Sequence, residues 1–282
     1  DAPRLADDVE QRWAEAWGED VVAAARRQIA HRPPLDLSFA DDSAAEAYDG
    51  ISLAPRHVRL EGGSVTALPG FGEGRWWVQD LAASLPARLI PAEARSVLDL
   101  CAAPGGKTMQ LAAAGHDVMA LDASASRLER LGQNLARTHL SARLVHADLL
   151  DWAPVEPADA ILLDAPCSAT GTFRRHPEVL YRARRQLIAE QAALQSRLLA
   201  RAAQWLKPGG TLVYSVCSLE PEEGEAVIRD FLGSSSGFSI GPGPLPDFAA
   251  ASGEGWFRIL PGMLEQAGGL DGFFIARLVR KA

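Results

Sequence analysis

Apolar positions recur at helical spacing near the start of the chain. Trp13, Trp17, Val21 and Val22 fall on one side of a helical region over residues 1–30. Arg26 and Arg27 sit near its expected end, and Pro33-Pro34 stops it. Then the period changes. Leu35-Asp-Leu-Ser-Phe39 alternates apolar and polar positions, as a half-buried strand does. Ser43–Tyr48 reads as a short helix, and Val58–Leu60 with Ser64–Leu68, around Gly62-Gly63, reads as a hairpin. Residues 1–70 are therefore expected to form a small α+β unit ahead of a larger domain over 71–282.

Asp80 is placed to cap a helix over Leu81–Leu89. Beyond Pro91, short apolar runs alternate with helical periods. The expected strands are the run from Val97, then Asp117–Asp122, Arg143–His146, Ala158–Leu163, Thr211–Val216 and Gly272–Val279. The expected helices start near Lys107 and cover Ser126–Thr138, Arg184–Leu206 and Glu222–Leu232, with a Gly/Ser/Pro-rich loop over Gly233–Gly255. Such alternation predicts an α/β fold, a mostly parallel sheet with helices on both faces. Ligands then bind at the carboxyl ends of the strands. Asp99–Lys107, Asp122, Asp148, Asp164 and Cys217 all fall at such ends.

Composition narrows the classes. At 282 residues and 48% hydrophobic content, the chain can bury a sizeable core. No stretch of about 18 apolar residues exists to cross a membrane. The segment Asp1–Glu10 is acidic and lacks the apolar core of a signal peptide. The three cysteines, Cys101, Cys167 and Cys217, are odd in number and far apart, which argues against a disulfide framework and fits the cytoplasm. No Cys-x-x-Cys or His-x-x-His pair suggests a metal. A net charge of −8 argues mildly against sequence-blind nucleic-acid binding.

The stretch Val97–Thr108, Val-Leu-Asp-Leu-Cys-Ala-Ala-Pro-Gly-Gly-Lys-Thr, reads as strand, tight turn and helix. Gly105 and Gly106 allow a ligand close to the backbone, and the helix start points free N–H groups at it. A P-loop is excluded because its first glycine would fall at Cys101, and the Gly-x-Gly-x-x-Gly of dinucleotide sites is missing. Asp122 ends the second strand, where a carboxylate can hold a ribose, and Asp148 ends the third, beside an adenine edge. The ligand expected from these positions is adenosine-like.

Two cysteines follow the next strands, in Asp164-Ala-Pro-Cys-Ser168 and Tyr214-Ser-Val-Cys-Ser218. A thiolate at such a position can serve as nucleophile. Cys167 to Arg174 is Cys-x6-Arg, one residue too long for a tyrosine phosphatase loop. Phe173-Arg-Arg-His176 and Tyr181-Arg-Ala-Arg-Arg185 are expected to form a basic, aromatic-bearing patch beside the site.

Asp99–Thr108, Asp164-Ala-Pro-Cys-Ser-Ala-Thr-Gly171 and Tyr214–Ser218 together resemble the Sun/NSUN-type RNA cytosine-5 methyltransferases, and among them the bacterial small-subunit rRNA methyltransferase B group. Gly74–Asp80 and Asp271-Gly-Phe-Phe-Ile-Ala276 are similar to family segments too. The resemblance implies a Rossmann-like domain with a seven-stranded sheet, S-adenosyl-L-methionine as cofactor, and a small N-terminal RNA-binding subdomain. It implies that Cys101, Ala102, Ala103, Pro104, Gly105, Gly106 and Lys107 wrap the cofactor. Asp122 would hold its ribose, Asp148 would lie by the adenine, and Arg127 and Asp164 would complete its site. Cys217 matches the nucleophile, and Cys167 the cysteine that releases product. The partner implied is RNA, with rRNA ahead of tRNA, and the protein is expected to act as a monomer without metal.

Carbon C5 of cytosine is a poor nucleophile. Addition of a thiolate at C6 makes it enamine-like, and protonation at N3, assisted by a carboxylic acid such as Asp164, eases that addition. The target base must leave any stack. Full-length members of the rRNA group often carry a further N-terminal domain resembling an antitermination factor, and no segment of this sequence matches it. Two rivals differ in kind. A DNA cytosine-5 methyltransferase would use Pro166-Cys167 as nucleophile and leave Cys217 unexplained. A non-catalytic RNA-binding protein of this fold would bind RNA without methyl transfer.

Overall fold

The computed structural model describes residues 4–241 and 243–282. The first three positions of the expected N-terminal helix, and Pro242 of the expected loop, lie outside the described residues. The chain opens with two helices rather than one, α1 (Asp7–Trp17) and α2 (Glu19–Ile29), broken at Gly18 with φ +88°. A left-handed residue cannot continue a helix, and glycine adopts it without strain. Their apolar faces close on Phe173, Leu180 and Leu219 from later in the chain. Their apolar cluster contains no residue of the small sheet that follows them in sequence.

That sheet contains β1 (Leu35–Phe39), β2 (His57–Leu60) and β3 (Trp76–Val78) in the antiparallel order β2-β1-β3. Between β1 and β2 lies the short helix α3 (Asp42–Ala45), ending before the expected Tyr48. The expected hairpin is absent. Leu37 pairs with Val58, and residues 65–67 form a 3-10 turn instead of a strand. The far edge of β1 is taken by β3, which brings in the fully buried Trp76 and the nearly buried Trp77. Two indoles remove far more apolar surface from water than Ser64–Leu68 could.

Helix α4 (Leu81–Arg88) is capped by Asp80, whose carboxylate accepts the Ala82 N–H at 2.9 Å. The larger sheet then begins with β4 (Ser96–Leu100), α5 (Gly106–Ala113), β5 (Asp117–Asp122), α6 (Ala125–Arg137) and β6 (Arg143–His146). It continues with β7 (Ala158–Asp164), α7 (Val179–Arg182), α8 (Arg185–Ala203) and β8 (Leu206–Val216). Helix α8 stops before the expected Leu206, because Leu206 already pairs with Ala158 in the sheet. Helix α9 (Glu225–Ser234) starts three residues later than expected, which leaves Glu223 outside it. The loop expected over 233–255 contains β9 (Phe238–Ile240), and β10 (Phe257–Ile259) and β11 (Phe273–Arg280) close the sheet.

The order is β10-β11-β8-β7-β4-β5-β6, with β9 paired to β11. The sheet thus has eight strands among the described residues rather than seven. Strands β4 to β8 are parallel, β11 runs antiparallel to β8, and β9 and β10 each pair antiparallel with β11. Alternate residues feed opposite cores. Leu98, Ile161 and Tyr214 lie on one face, and Val97, Leu162 and Val213 on the other. The chain leaves β4 toward β5 and β6 on one side, then returns to its other side as β7. Ligand crevices form where the order reverses in this way.

Candidate active site

The loop after β4 occupies that reversal. Cys101 takes φ +60° and Gly105 φ +106°, and the Ala103–Pro104 peptide is cis. A Cβ on Gly105 would meet Leu131 Cγ at 2.8 Å, so α6 packs where a side chain would stand. Three contacts hold the loop's shape. Asp122 accepts the Ala103 N–H at 3.0 Å on one oxygen and the Ser124 N–H at 2.9 Å on the other. Arg127 donates to the Ala103 carbonyl and lies 3.8 Å from Asp122. Asn134 donates to the Pro104 carbonyl at 3.0 Å. Asp122 and Arg127 thus shape the loop directly, whatever they also do for a ligand.

A cavity of about 210 Å³ opens between this loop and β3, lined by Gln79, Asp99, Ala103, Gly106, Lys107 and Asp164 among others. Asp99 is fully buried. One of its oxygens accepts the Thr108 hydroxyl at 2.6 Å and the other has no partner. Burial, with smaller contributions from Asp164 and Asp122, pushes the Asp99 carboxyl up to about 7. Lys107 donates to Asp164 at 2.8 Å. Its burial disfavours the ammonium, yet Asp164 and then Cys217 hold its pKa above the ordinary lysine value. An unpartnered buried carboxylate oxygen, beside a second carboxylate and glycine backbone, fits a ligand that carries positive charge.

Asp164 accepts on both oxygens, from Lys107 and from the Ser215 hydroxyl at 2.7 Å. Asp164 and Ser215 are direct partners in the β7–β8 ladder. The two cysteine segments leave those strand ends side by side, and Cys167 Sγ lies 3.5 Å from Cys217 Sγ. The Cys217 contact, then burial, pushes the Cys167 thiol well above the usual range. Cys101 does not join them. Its burial and the nearby Asp122, Asp164 and Asp99 push its thiol up to about 12.

Asp148 is exposed, and its carboxylate accepts the Leu150 N–H at 2.9 Å. The expected basic patch divides in two. Phe173 is buried against Trp13, with ring centroids 5.3 Å apart. Arg174 pairs with Asp80 and with Asp271, the latter at 2.6 Å, and Arg175 reaches Asp80 at 2.7 Å. These arginines tie the residue capping α4 to the segment just before β11 and do not face solvent as a patch. Tyr181, Arg182, Arg184 and Arg185 remain exposed.

A family model described as 16S rRNA methyltransferase RsmB/F matches residues 86–279. The chain belongs to the RsmB/F methyltransferase family. A ribosomal RNA small subunit methyltransferase B of Salmonella arizonae is 43% identical over 252 residues, 87% of this chain and 56% of that protein. The chain therefore spans about half the length of that relative. A crystal structure of a methyltransferase homologue from Pyrococcus horikoshii is 30% identical, with a TM-score of 0.78 over 96% of this chain and 93% of that one. NSun6 from Pyrococcus horikoshii shares the fold, at 18% identity and a TM-score of 0.84 over the full length of both chains.

Within this RsmB/F chain, sequence reasoning missed the residues behind the cysteines. Ser168, Ser218, Gln195 and Glu223 form one buried hydrogen-bonded cluster. The available signal was the repeated Cys-Ser pair at 167–168 and 217–218. It also missed Arg12 and Trp13 of α1, which donate to Glu220 at 3.2 and 3.1 Å, three residues past Cys217.

Proposed function

We propose that this chain transfers a methyl group from S-adenosylmethionine to C5 of a cytosine in RNA, with Cys217 bonded to C6 during the reaction. One observation supports this most directly. Two thiols in contact stand beyond neighbouring strand ends whose preceding residues, Asp164 and Ser215, are joined beside the Lys107 cavity. A single nucleophile would not need a second thiol at its side.

The bound cofactor would supply an electrophilic methyl group, and its positive charge suits the crevice of Asp99 and Asp164. Residues 101–107, Asp122 and Arg127 would hold it, with Asp148 at the rim beside β6. Cys217 adds to C6 of the extruded base, so C5 gains enamine character. Addition pushes negative charge onto N3, a proton delivered by the Asp164 carboxyl group neutralises it, and N3 returns that proton when the Cys217–C6 bond breaks. After methyl transfer the C5 proton leaves to a base, and the Cys217–C6 bond breaks. Cys167, 3.5 Å from Cys217, assists that release.

RNA is the substrate class proposed, and rRNA within it, because the Salmonella relative is named a ribosomal RNA small subunit methyltransferase. Exposed Tyr181 offers a stacking face, and Arg182, Arg184 and Arg185 offer phosphate contacts, on the helices that follow the Cys167 loop. The segment over residues 1–70, with β3 added from the next stretch, is assigned to holding the RNA against this face. Incubation with labelled cofactor and total RNA, followed by bisulfite mapping, tests the reading. A protected cytosine in small-subunit rRNA is expected. A site in tRNA would move the substrate, and RNA binding with no label transferred would overturn catalysis.

A further inference from the structure

We infer that Glu223 is a positioning residue that holds Cys167 against Cys217 by gripping the serine after each cysteine. The inference rests on the two-cysteine reading above. Glu223 is fully buried. Its Oε1 accepts the Ser168 backbone N–H at 2.8 Å and Gln195 Nε2 at 3.1 Å. Its Oε2 accepts the hydroxyls of both Ser168 and Ser218, which lie 3.2 Å from each other. Gln195 also donates to the Pro166 carbonyl at 2.8 Å, and Tyr214 Oη donates to the Glu223 carbonyl at 2.6 Å. Glu223, with Gln195 as its link to Pro166, thus ties the residues on either side of Cys167 to the residue after Cys217.

All four donors to this carboxylate are neutral. An ionised carboxylate only accepts, and four donors match its lone pairs. A proton on it would introduce a donor among donors. Burial raises the Glu223 pKa, and the hydrogen bonds from Ser168, Ser218 and Gln195 oppose that. The two cysteines need the clamp unequally. Cys217 directly follows Val216, which is still paired to Phe274 in the sheet. Cys167 lies three residues past the end of β7, with no ladder partner. Backbone bonds from the Ala165 N–H to the Ser215 carbonyl at 2.9 Å and from the Gly171 N–H to the Cys217 carbonyl at 3.0 Å anchor the two ends of its loop, and between them the Glu223 cluster holds the residues flanking Cys167.

The test uses the full chain with substrate RNA and S-adenosylmethionine. In Glu223→Gln the isosteric amide places a donor where both serines donate. Turnover is expected to fall about 100-fold, the scale of a misplacement of about 1 Å. The KM for cofactor should stay unchanged, and covalent RNA adduct should accumulate on denaturing gels as it does in Cys167→Ala. Loss of turnover without adduct, where Cys167→Ala gives adduct, overturns the clamp. So does unchanged turnover. If Glu223→Gln does not fold, Ser168→Ala serves in its place, and wild-type product release there overturns the inference. A second readout does not depend on the reaction. Diamide takes up two hydrogens as it oxidises Cys167 and Cys217 to a disulfide, and this should be rapid in wild type and slow in the variant. Equal rates overturn the clamp. Absence of adduct in Cys167→Ala, with diamide rates still distinct, places the failure in the two-cysteine reading instead.

Discussion

Cys167 and Cys217, fifty residues apart in the chain, have their sulfur atoms 3.5 Å apart. Parallel pairing of β7 with β8 brings this about, because both segments leave the same edge of the sheet. Two thiols in contact cannot both be thiolates without like-charge repulsion. The raised thiol is Cys167, and in the mechanism proposed above it keeps its proton while Cys217 attacks.

Substitution at each cysteine should therefore give opposite results. Cys217→Ala is expected to abolish methyl transfer and adduct formation. Cys167→Ala should form the adduct and release it slowly. Gel analysis of RNA–protein complexes reads both, and adduct in Cys217→Ala but not in Cys167→Ala would reverse the roles. Alkylation at pH 8 should leave Cys101 unmodified in the folded protein, since its thiol is pushed up to about 12.

Asp99 predicts a pH dependence of stability. Its carboxyl is pushed up to about 7 by burial, whereas an unfolded aspartate titrates near 3.9. Between these values the native state binds the extra proton. Stability should therefore fall as pH rises from about 4 through about 7, and level off above. Asp99→Asn should flatten that part of the melting-temperature profile. An unchanged profile would remove Asp99 as its source.

The Arg174 network predicts a large structural cost. Arg174 is almost wholly buried between Asp80 and Asp271. Arg174→Ala leaves these carboxylates with Arg175 alone, and breaking a buried pair costs about 3–5 kcal/mol. Urea unfolding should show this loss, and RNA affinity of the folded fraction should remain. Selective loss of RNA affinity at full stability would return Arg174 to the binding surface.

Tyr181 with Arg182, Arg184 and Arg185 predicts the reverse. Tyr181→Ala should weaken single-stranded RNA binding by about 1–3 kcal/mol, the worth of one stacked base. Replacing the three arginines with alanine should make the salt dependence of binding shallower by about 2 in slope. Melting temperature should not change. An unaltered salt slope would place the RNA elsewhere.

Much of the candidate site has a local signature in the sequence. The loop at 101–107 is written in small residues, a proline and adjacent glycines, and Asp122, Asp164, Cys167 and Cys217 follow apolar runs of strand length. Each needs only its immediate neighbours to be recognised. The same local reading failed for Arg174 and Arg175. A pair of arginines near a tyrosine looks the same whether it faces water or two buried aspartates.

By itself, the sequence determined the alternation of strands and helices from residue 96 onward, the glycine turn at the reversal of the sheet, and which cysteines end strands. These follow from residue periodicity and turn chemistry over a few positions. Tertiary structure alone decided the rest. It set β1 between β2 and β3, folded α1 and α2 onto Leu219, and brought the two sulfurs into contact behind a shared carboxylate. Those outcomes depend on which distant surfaces exclude water together, and on which buried charges find partners. No short window of sequence contains both sides of such a contact.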